Sequence, residues 1–306
     1  MTQATQPTIG FIGASGLMGH GMAKNLLLKN YPLAYTVNRT EPAGLAELGA
    51  TRAADHAELG RTCDVVFLCI TAATDVEAAL TGERGVLVDP KPGLIIIDSS
   101  TSEPAVTRRL AQLCADKEVR FVDAPLTRGP AEAEAGTLNM LIGADAETLE
   151  AIRPLLEACA ENIIHAGPTG AGHTIKLLNN FLILTEASAL AEAFAVATKA
   201  GADPQKLVDI LGMGIFNNQL LHLIEQTLGG NYEAMVFELD NARKDVRYYT
   251  RLAGDLGHPT SVGNGVHEAL GTASALGFGS EYVPSLVKAA EQIAGVPIRR
   301  KTDQPD

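Results

Sequence analysis

Several features are missing from this chain, and each absence narrows what it does. Cys63, Cys69, Cys114 and Cys159 show no paired CxxC spacing. A disulfide framework is therefore not expected, and the reading is of reduced structural thiols in a cytoplasmic protein. Basic charge is scarce: 24 Lys and Arg stand against 36 Asp and Glu, a net charge of −12 at pH 7. That balance argues against a nucleic-acid or membrane-surface partner, and it requires any small anionic ligand to be held by local donors. No uninterrupted apolar run approaches the roughly 18 residues of a membrane span. Met1 to Pro7 is polar and uncharged, unlike a secretory signal. His222, His258 and His267 lack the spacing with acids that would mark a metal site, so no metal is expected. Low-complexity segments and internal repeats are absent too.

What is present is length and pattern. With 306 residues, 46% of them hydrophobic, the chain can form two domains with cores of their own. Short apolar runs at residues 8–13, 33–37, 64–70, 94–97 and 120–122 read as strands. Helical stretches at 18–29, 74–80 and 103–115 separate several of them, which predicts a parallel, doubly wound α/β sheet. Residues 138–142 and 163–165 add strands at its far end. From Gly170 onward the texture is helical, with candidates near 172–200, 204–212, 216–228, 238–256, 260–275 and 283–294. Gly201 and Gly257 stand where C-terminal caps belong. The boundary is placed after Pro168, giving a nucleotide-binding domain over 1–168 and an all-α domain over 169–306. Pro297 to Asp306 reads as a loose tail.

The most informative stretch runs from Gly170 to Asn180. Lys176 and Asn180 are four apart, so on a helix they share a face, and a very apolar sequence follows them. Burial lowers the pKa of a lysine, which suits an ammonium at such a place to proton transfer. His173 nearby reads as a local polar contact, with a substrate role as the alternative.

After the first strand come Gly13, Ala14, Ser15, Gly16, Leu17, Met18 and Gly19, a GxxGxxG loop opening a helix and one residue longer than GxGxxG. Glycines there let backbone N–H groups approach a pyrophosphate at a helix N-terminus. The second strand ends in Val37, Asn38, Arg39 and Thr40, without the acid that binds the ribose of NAD. Asn38 and Thr40 can donate to a 2′-phosphate and Arg39 can pair with it, so NADP(H) is expected over NAD(H). Asp98 and Asp123 read as supports for strand-end loops, and the turn Thr127, Arg128, Gly129 offers donors to an oxyanion.

Taken together, Gly10 to Gly19, Asp123-Ala-Pro125 with Gly136-Thr137-Leu138, Gly172 to Asn180, and Lys244-Asp245 resemble the β-hydroxyacid dehydrogenases over nearly the whole chain. These include 3-hydroxyisobutyrate dehydrogenases and several semialdehyde reductases. The resemblance implies a Rossmann-type domain and interconversion of a small 3-hydroxy acid with its semialdehyde. It makes Lys176 the general acid/base and Asn180 a substrate-orienting amide. Thr101 and Lys244 become cofactor contacts, with Ile70 and Thr71 in place of a Leu-Pro pair. Most members have Ser-Gly-Gly where this chain has Thr127-Arg128-Gly129. Arg128 is similar to an arginine of sulfolactaldehyde reductases and is expected to clamp a carboxylate or a sulfonate. The long helix near 172–200 carries more apolar surface than one small domain needs, so a homodimer or homotetramer is expected. The competing readings are an imine reductase, which commonly lacks this lysine, and a non-catalytic NADP-binding regulator.

Overall fold

The computed structural model describes residues 6–300, so expectations about the first five residues and the last six lie outside the described residues. Strand β1 (Ile9–Ile12) is buried at every position. It pairs in parallel with β2 (Leu33–Thr36) on one side and β4 (Val65–Leu68) on the other. Beyond β2 lies the two-residue β3 (Thr51–Arg52); beyond β4 come β5 (Ile95–Asp98) and β6 (Arg120–Asp123), all parallel. The direction then reverses: β8 (Leu138–Gly143) runs antiparallel to β6 and to β7 (Leu126–Thr127), while β9 (Ala160–Gly167) runs parallel to β8. The strand order β3-β2-β1-β4-β5-β6 changes sense at β1 and β4, and open α/β sheets bind ligands at such a switch point, outside the carboxyl ends of the strands.

Two cores sandwich this sheet. On one face Met22 and Leu26 of α1 (Leu17–Leu28) and Ile152 and Leu155 of α6 (Ala146–Leu156) pack against Ile9, Phe11 and Phe67. On the other, Leu59 of α2 (His56–Thr62), Val76 and Leu80 of α3 (Ala73–Thr81) and Leu110 of α4 (Pro104–Ala115) cover Val66, Leu68 and Ile96. α5 (Pro130–Ala135) lies against α1 so closely that a Cβ on Gly21 would sit 2.4 Å from the carbonyl carbon of Ala133.

The chain divides into two compact units between Lys176 and Leu177, inside α7 (Ala171–Lys199). This division lies eight residues beyond the boundary read after Pro168; Asp123 of β6 holds the start of α7 through Gly170 and His173. The second unit is helical: α7 continues into α8 (Pro204–Gly212), α9 (Gln219–Glu225), α10 (Leu239–Asp255), α11 (Ser261–Ala273) and α12 (Leu286–Ala294). Phe194, Leu221, Val246, Leu270 and Val287 form its fully enclosed centre. The expected tail is corrected over its first residues: Ile298 is fully buried and Arg300 N donates to Leu228 O at 3.2 Å. Ile298 N also donates to Glu291 at 3.2 Å and Arg299 pairs with Glu291 at 2.7 Å, so packing and polar contacts together hold this segment.

α7 also qualifies the expectation about apolar length. An 18-residue window has mean hydropathy 1.5, enough by length and composition to cross a membrane, and 33% of it is buried. Single polar residues interrupt its apolar runs, yet the average over the window stays high. Leu184, Ala187, Leu190 and Phe194 face the helical core, while Ile175, Leu178, Leu182 and Val196 are exposed.

Candidate active site

The glycine loop at the end of β1 is shaped by lack of room. Gly13 has φ +95°, and a Cβ there would lie 2.2 Å from the Cys69 carbonyl oxygen. A Cβ on Gly19 would lie 2.2 Å from Gly13 O. Gly16 N donates to Gly13 O at 3.0 Å, closing the turn. The additional residue of the loop is accommodated inward: Ala14 is buried, whereas Ser15, Gly16 and Leu17 are exposed. α1 begins without a side-chain cap and without an acid in its first turn. Those N–H groups suit a pyrophosphate, so the donor set fits a dinucleotide.

Beyond the end of β2, Asn38, Arg39 and Thr40 are exposed. The nearest acid in sequence, Glu41, is engaged: Tyr35 Oη donates to it at 2.8 Å and Arg52 pairs with it at 3.4 Å. Between the glycine loop and the substrate turn, His20 donates from both ring nitrogens, to Ala43 O at 2.8 Å and to Glu134 at 2.6 Å. Burial alone would lower its pKa, but these bonds outweigh burial and hold it above the ordinary histidine range. Hydrogen bonds from His20 and Lys24 hold Glu134 below the usual carboxylate range.

At the ends of β4 and β5 the loops are laced together. Ile70 N donates to Ser100 Oγ at 3.1 Å, and Ser100 N donates to Asp98 Oδ1 at 3.0 Å. Asp98 is almost wholly enclosed, and burial pushes its carboxyl up despite the nearby His173. Thr71 is exposed and Thr101 half-buried beside this lacing.

Thr127 ends β7 and Arg128 follows it in the turn. Asn162 donates to Asn139 Oδ1 and Asn139 donates to Thr127 Oγ1, each at 2.9 Å. Because Thr127 Oγ1 accepts there, its hydroxyl proton is left to donate. Arg128 has φ +75°, a left-handed conformation that a side chain disfavours by roughly 1–2 kcal/mol. Its Nη1 donates to Thr137 O and to Glu161 Oε2, the latter at 2.5 Å. Gly129 N donates to Glu132 and opens α5.

Asp123 is fully buried. It accepts from Gly170 N at 2.6 Å and from His173 N at 2.8 Å, placing a carboxylate at the start of α7. Such a charge favours a helix N-terminus. His173 is 0% exposed and touches Thr107 and Ser100, so it is a buried contact with no face for a substrate. Lys176, one turn further, is half-buried rather than enclosed.

In the helical unit, Asn180 donates to Asp245 Oδ2 at 2.7 Å and both are buried. Lys244 Nζ lies 3.2 Å from the other Asp245 oxygen and 5.6 Å from the centre of the Tyr248 ring. Asp245 thus holds Asn180 and Lys244 rather than pairing with Arg243 or Arg247. Those arginines, with Asp240, Lys244 and His267, line a cavity of about 200 Å³. Burial, and then the two guanidiniums, push His267 down. All four cysteines are free, and burial pushes Cys114 and Cys159 up to about 12.

Sequence reasoning missed the supporting partners: Asn139, Asn162, Glu161, Thr107 and the His20–Glu134 pair. Polar residues inside apolar strands, such as Asn139 in Leu-Asn-Met-Leu-Ile, were the available signal.

With this geometry in view, the comparisons with known proteins are specific. Residues 8–167 match the NAD binding domain of 6-phosphogluconate dehydrogenase. Residues 170–290 match the NAD-binding domain of NADP-dependent 3-hydroxyisobutyrate dehydrogenase. The chain is 30% identical to 2-(hydroxymethyl)glutarate dehydrogenase of Eubacterium barkeri, covering 95% of this chain and 97% of that one. It is 36% identical to the NAD-dependent L-serine dehydrogenase of Pseudomonas aeruginosa, covering 66% and 68%. Among solved structures, Mycobacterium tuberculosis 3-hydroxyisobutyrate dehydrogenase with L-serine superposes with a TM-score of 0.82 at 25% identity, covering 93% and 99%.

Proposed function

This chain belongs to the β-hydroxyacid dehydrogenase family, NAD(P)-binding oxidoreductases of 3-hydroxyisobutyrate and related acids, and we propose that it is an NADP(H)-preferring member acting on a small anionic 3-hydroxy acid or its semialdehyde. The observation that carries the proton-transfer assignment is the placing of Lys176. It stands one turn beyond a helix start that Asp123 holds at the carboxyl edge of the parallel sheet. The cofactor preference is supported by exposed Arg39, flanked by Asn38 and Thr40, while the nearest acid in sequence is occupied by Tyr35 and Arg52.

The residues that would hold the dinucleotide are Gly13 to Gly19, Asn38 to Thr40, Ile70, Thr71, Thr101 and Lys244. Bound, its nicotinamide supplies the hydride acceptor in oxidation and the donor in reduction. In oxidation Lys176 takes the hydroxyl proton as the substrate oxygen becomes a carbonyl. In reduction it returns that proton to the developing alkoxide. Thr127, its oxygen already bonded by Asn139, donates to the substrate's anionic group, with Gly129, whose N–H donates to Glu132, completing the turn. Arg128 contributes through its Nε and Nη2 edges while Nη1 stays with Glu161 and Thr137 O. Asn180, fixed by Asp245, orients the substrate.

The exposed apolar residues of α7 support a homodimer or homotetramer, and the free thiols support a cytoplasmic setting. Turnover of C3–C5 3-hydroxy acids and semialdehydes, carboxylate and sulfonate, is to be measured with both nicotinamide cofactors. The expected result is turnover of anionic substrates at higher kcat/KM with NADP(H). Turnover of cyclic imines alone, or NADPH binding without turnover of any substrate, would replace the reading. A monomeric mass by light scattering would remove the oligomer.

A further inference from the structure

His173 does more than fill space under α7. Its ring is completely enclosed, yet it reaches two other segments of the sheet unit. Nε2 faces Ser100 O at 3.1 Å. A carbonyl only accepts, so Nε2 carries the proton and donates. Nδ1 bonds the Thr107 hydroxyl on α4 at 2.7 Å, and that hydroxyl also lies 3.2 Å from Glu103 O. Both ring nitrogens are thus engaged, as read from the hydrogen-bond network. The His173 backbone N–H is held by Asp123 from the end of β6.

Two strand ends and the first turn of α4 therefore meet at one residue of α7. Ser100 is bonded in turn to Ile70 N and precedes Thr101, so the Ile70 and Ser100 loops are tied to each other. Room for adjustment is small: a Cβ on Gly172 would lie 2.3 Å from Leu141 O and 2.9 Å from Asp123 Oδ2. Lys176 stands three residues beyond His173, about 4.5 Å along the helix axis and on a neighbouring face.

We propose that His173 is a positioning residue, bracing the lysine-bearing helix against the Ser100 loop and so fixing Lys176 relative to Ile70 and Thr101. This rests on the reading of Lys176 as the acid/base group and of Ile70 and Thr101 as cofactor contacts. The charged groups facing the ring are Asp98 and Asp123, each with an oxygen 3.9 Å from a ring nitrogen. Neither replaces the bonds to Thr107 and Ser100, so the brace depends on hydrogen-bond geometry.

The test compares His173→Gln and His173→Leu with the wild type. A glutamine amide can donate to Ser100 O and hydrogen-bond the Thr107 hydroxyl, whereas leucine does neither. 3-Hydroxyisobutyrate deuterated at its hydroxymethyl carbon, with NADP+, reads hydride transfer. Misplacement by about 1 Å lowers kcat by roughly 100-fold. The expected result is such a fall in His173→Leu, with a larger isotope effect on kcat and NADPH affinity within about threefold, and recovery in His173→Gln. A second readout needs no substrate. Reductive methylation with 13C-formaldehyde gives Lys176 a dimethylamino resonance, identified by its loss in Lys176→Ala. That resonance should coincide in wild type and His173→Gln and move in His173→Leu. Folded His173→Leu with wild-type turnover, or an unmoved resonance, overturns the brace; so does His173→Gln as impaired as His173→Leu. Full turnover in Lys176→Ala would instead remove the reading beneath the proposal, which keeps the two failures apart.

Discussion

Replacing Asp123 by asparagine should unpin the start of α7 while leaving the side chain's shape almost unchanged. The carboxylate accepts from Gly170 N at 2.6 Å and from His173 N at 2.8 Å, with no exposure to water. Asparagine offers one acceptor oxygen, so its amide nitrogen meets the second N–H as donor against donor. The loss of one charge-assisted bond costs about 1.5–3 kcal/mol, and the stranded buried N–H adds about 1–3 kcal/mol. Relief of repulsion between Asp123 and Asp98 offsets part, leaving roughly 3 kcal/mol. For a unit of this size each kcal/mol moves Tm by about 2–4 °C, so Asp123→Asn should melt roughly 6–12 °C lower by calorimetry. Hydrogen exchange gives the local check, because the Gly170 and His173 amides should lose protection before the rest of the sheet unit. A Tm within about 2 °C of wild type with both amides still protected would refute the claim that Asp123 anchors this helix.

Other perturbations separate the remaining parts. Arg39→Ala should weaken NADPH binding by about 10- to 100-fold and leave NADH nearly unchanged, as measured by fluorescence titration. Arg128→Ala should raise KM for anionic substrates about tenfold or more with little change in NADPH affinity; equal kinetics on acid and alcohol analogues would exclude the clamp. The His20–Glu134 pair should make stability depend on pH. His20 is raised above 6.5, so its contribution is full below that value and lost as pH rises through its folded pKa. Glu134 is lowered below 4.5, so its contribution is full above that value and lost as pH falls through its folded pKa. The Tm gap between wild type and Glu134→Gln should be widest from about pH 4.5 to 6.5 and shrink in alkaline solution. With both groups partly exposed the pair contributes at most about 1 kcal/mol. A gap constant up to pH 9 would contradict it.

Much of this architecture was legible because buried parallel strands and amphipathic helices leave strong periodic marks. β1, β4 and β5 are short apolar runs, and the helical candidates at 204–212 and 238–256 match α8 and α10 within a residue at either end. β3, β7 and α5 were not visible, since two-residue strands and a helix of under two turns carry no apolar run or period of their own and are fixed by their neighbours. The candidate site divides along similar lines. Lys176 and the glycine loop announce themselves by residue type and order. The partners that hold them do not, because Asn139, Thr107 and Glu161 meet their targets only after the sheet has formed. Arg128 was found by its departure from a family pattern. Its left-handed backbone and its pairing with Glu161 needed the structure.

The central claim is that Lys176 moves the proton while other residues hold the cofactor. Lys176→Ala, measured for turnover of the best hydroxy acid and for NADPH binding in the same preparation, tests it most directly. The account predicts a fall in kcat of about 10²–10⁴-fold with NADPH affinity within about twofold. Turnover within a few-fold of wild type would contradict it.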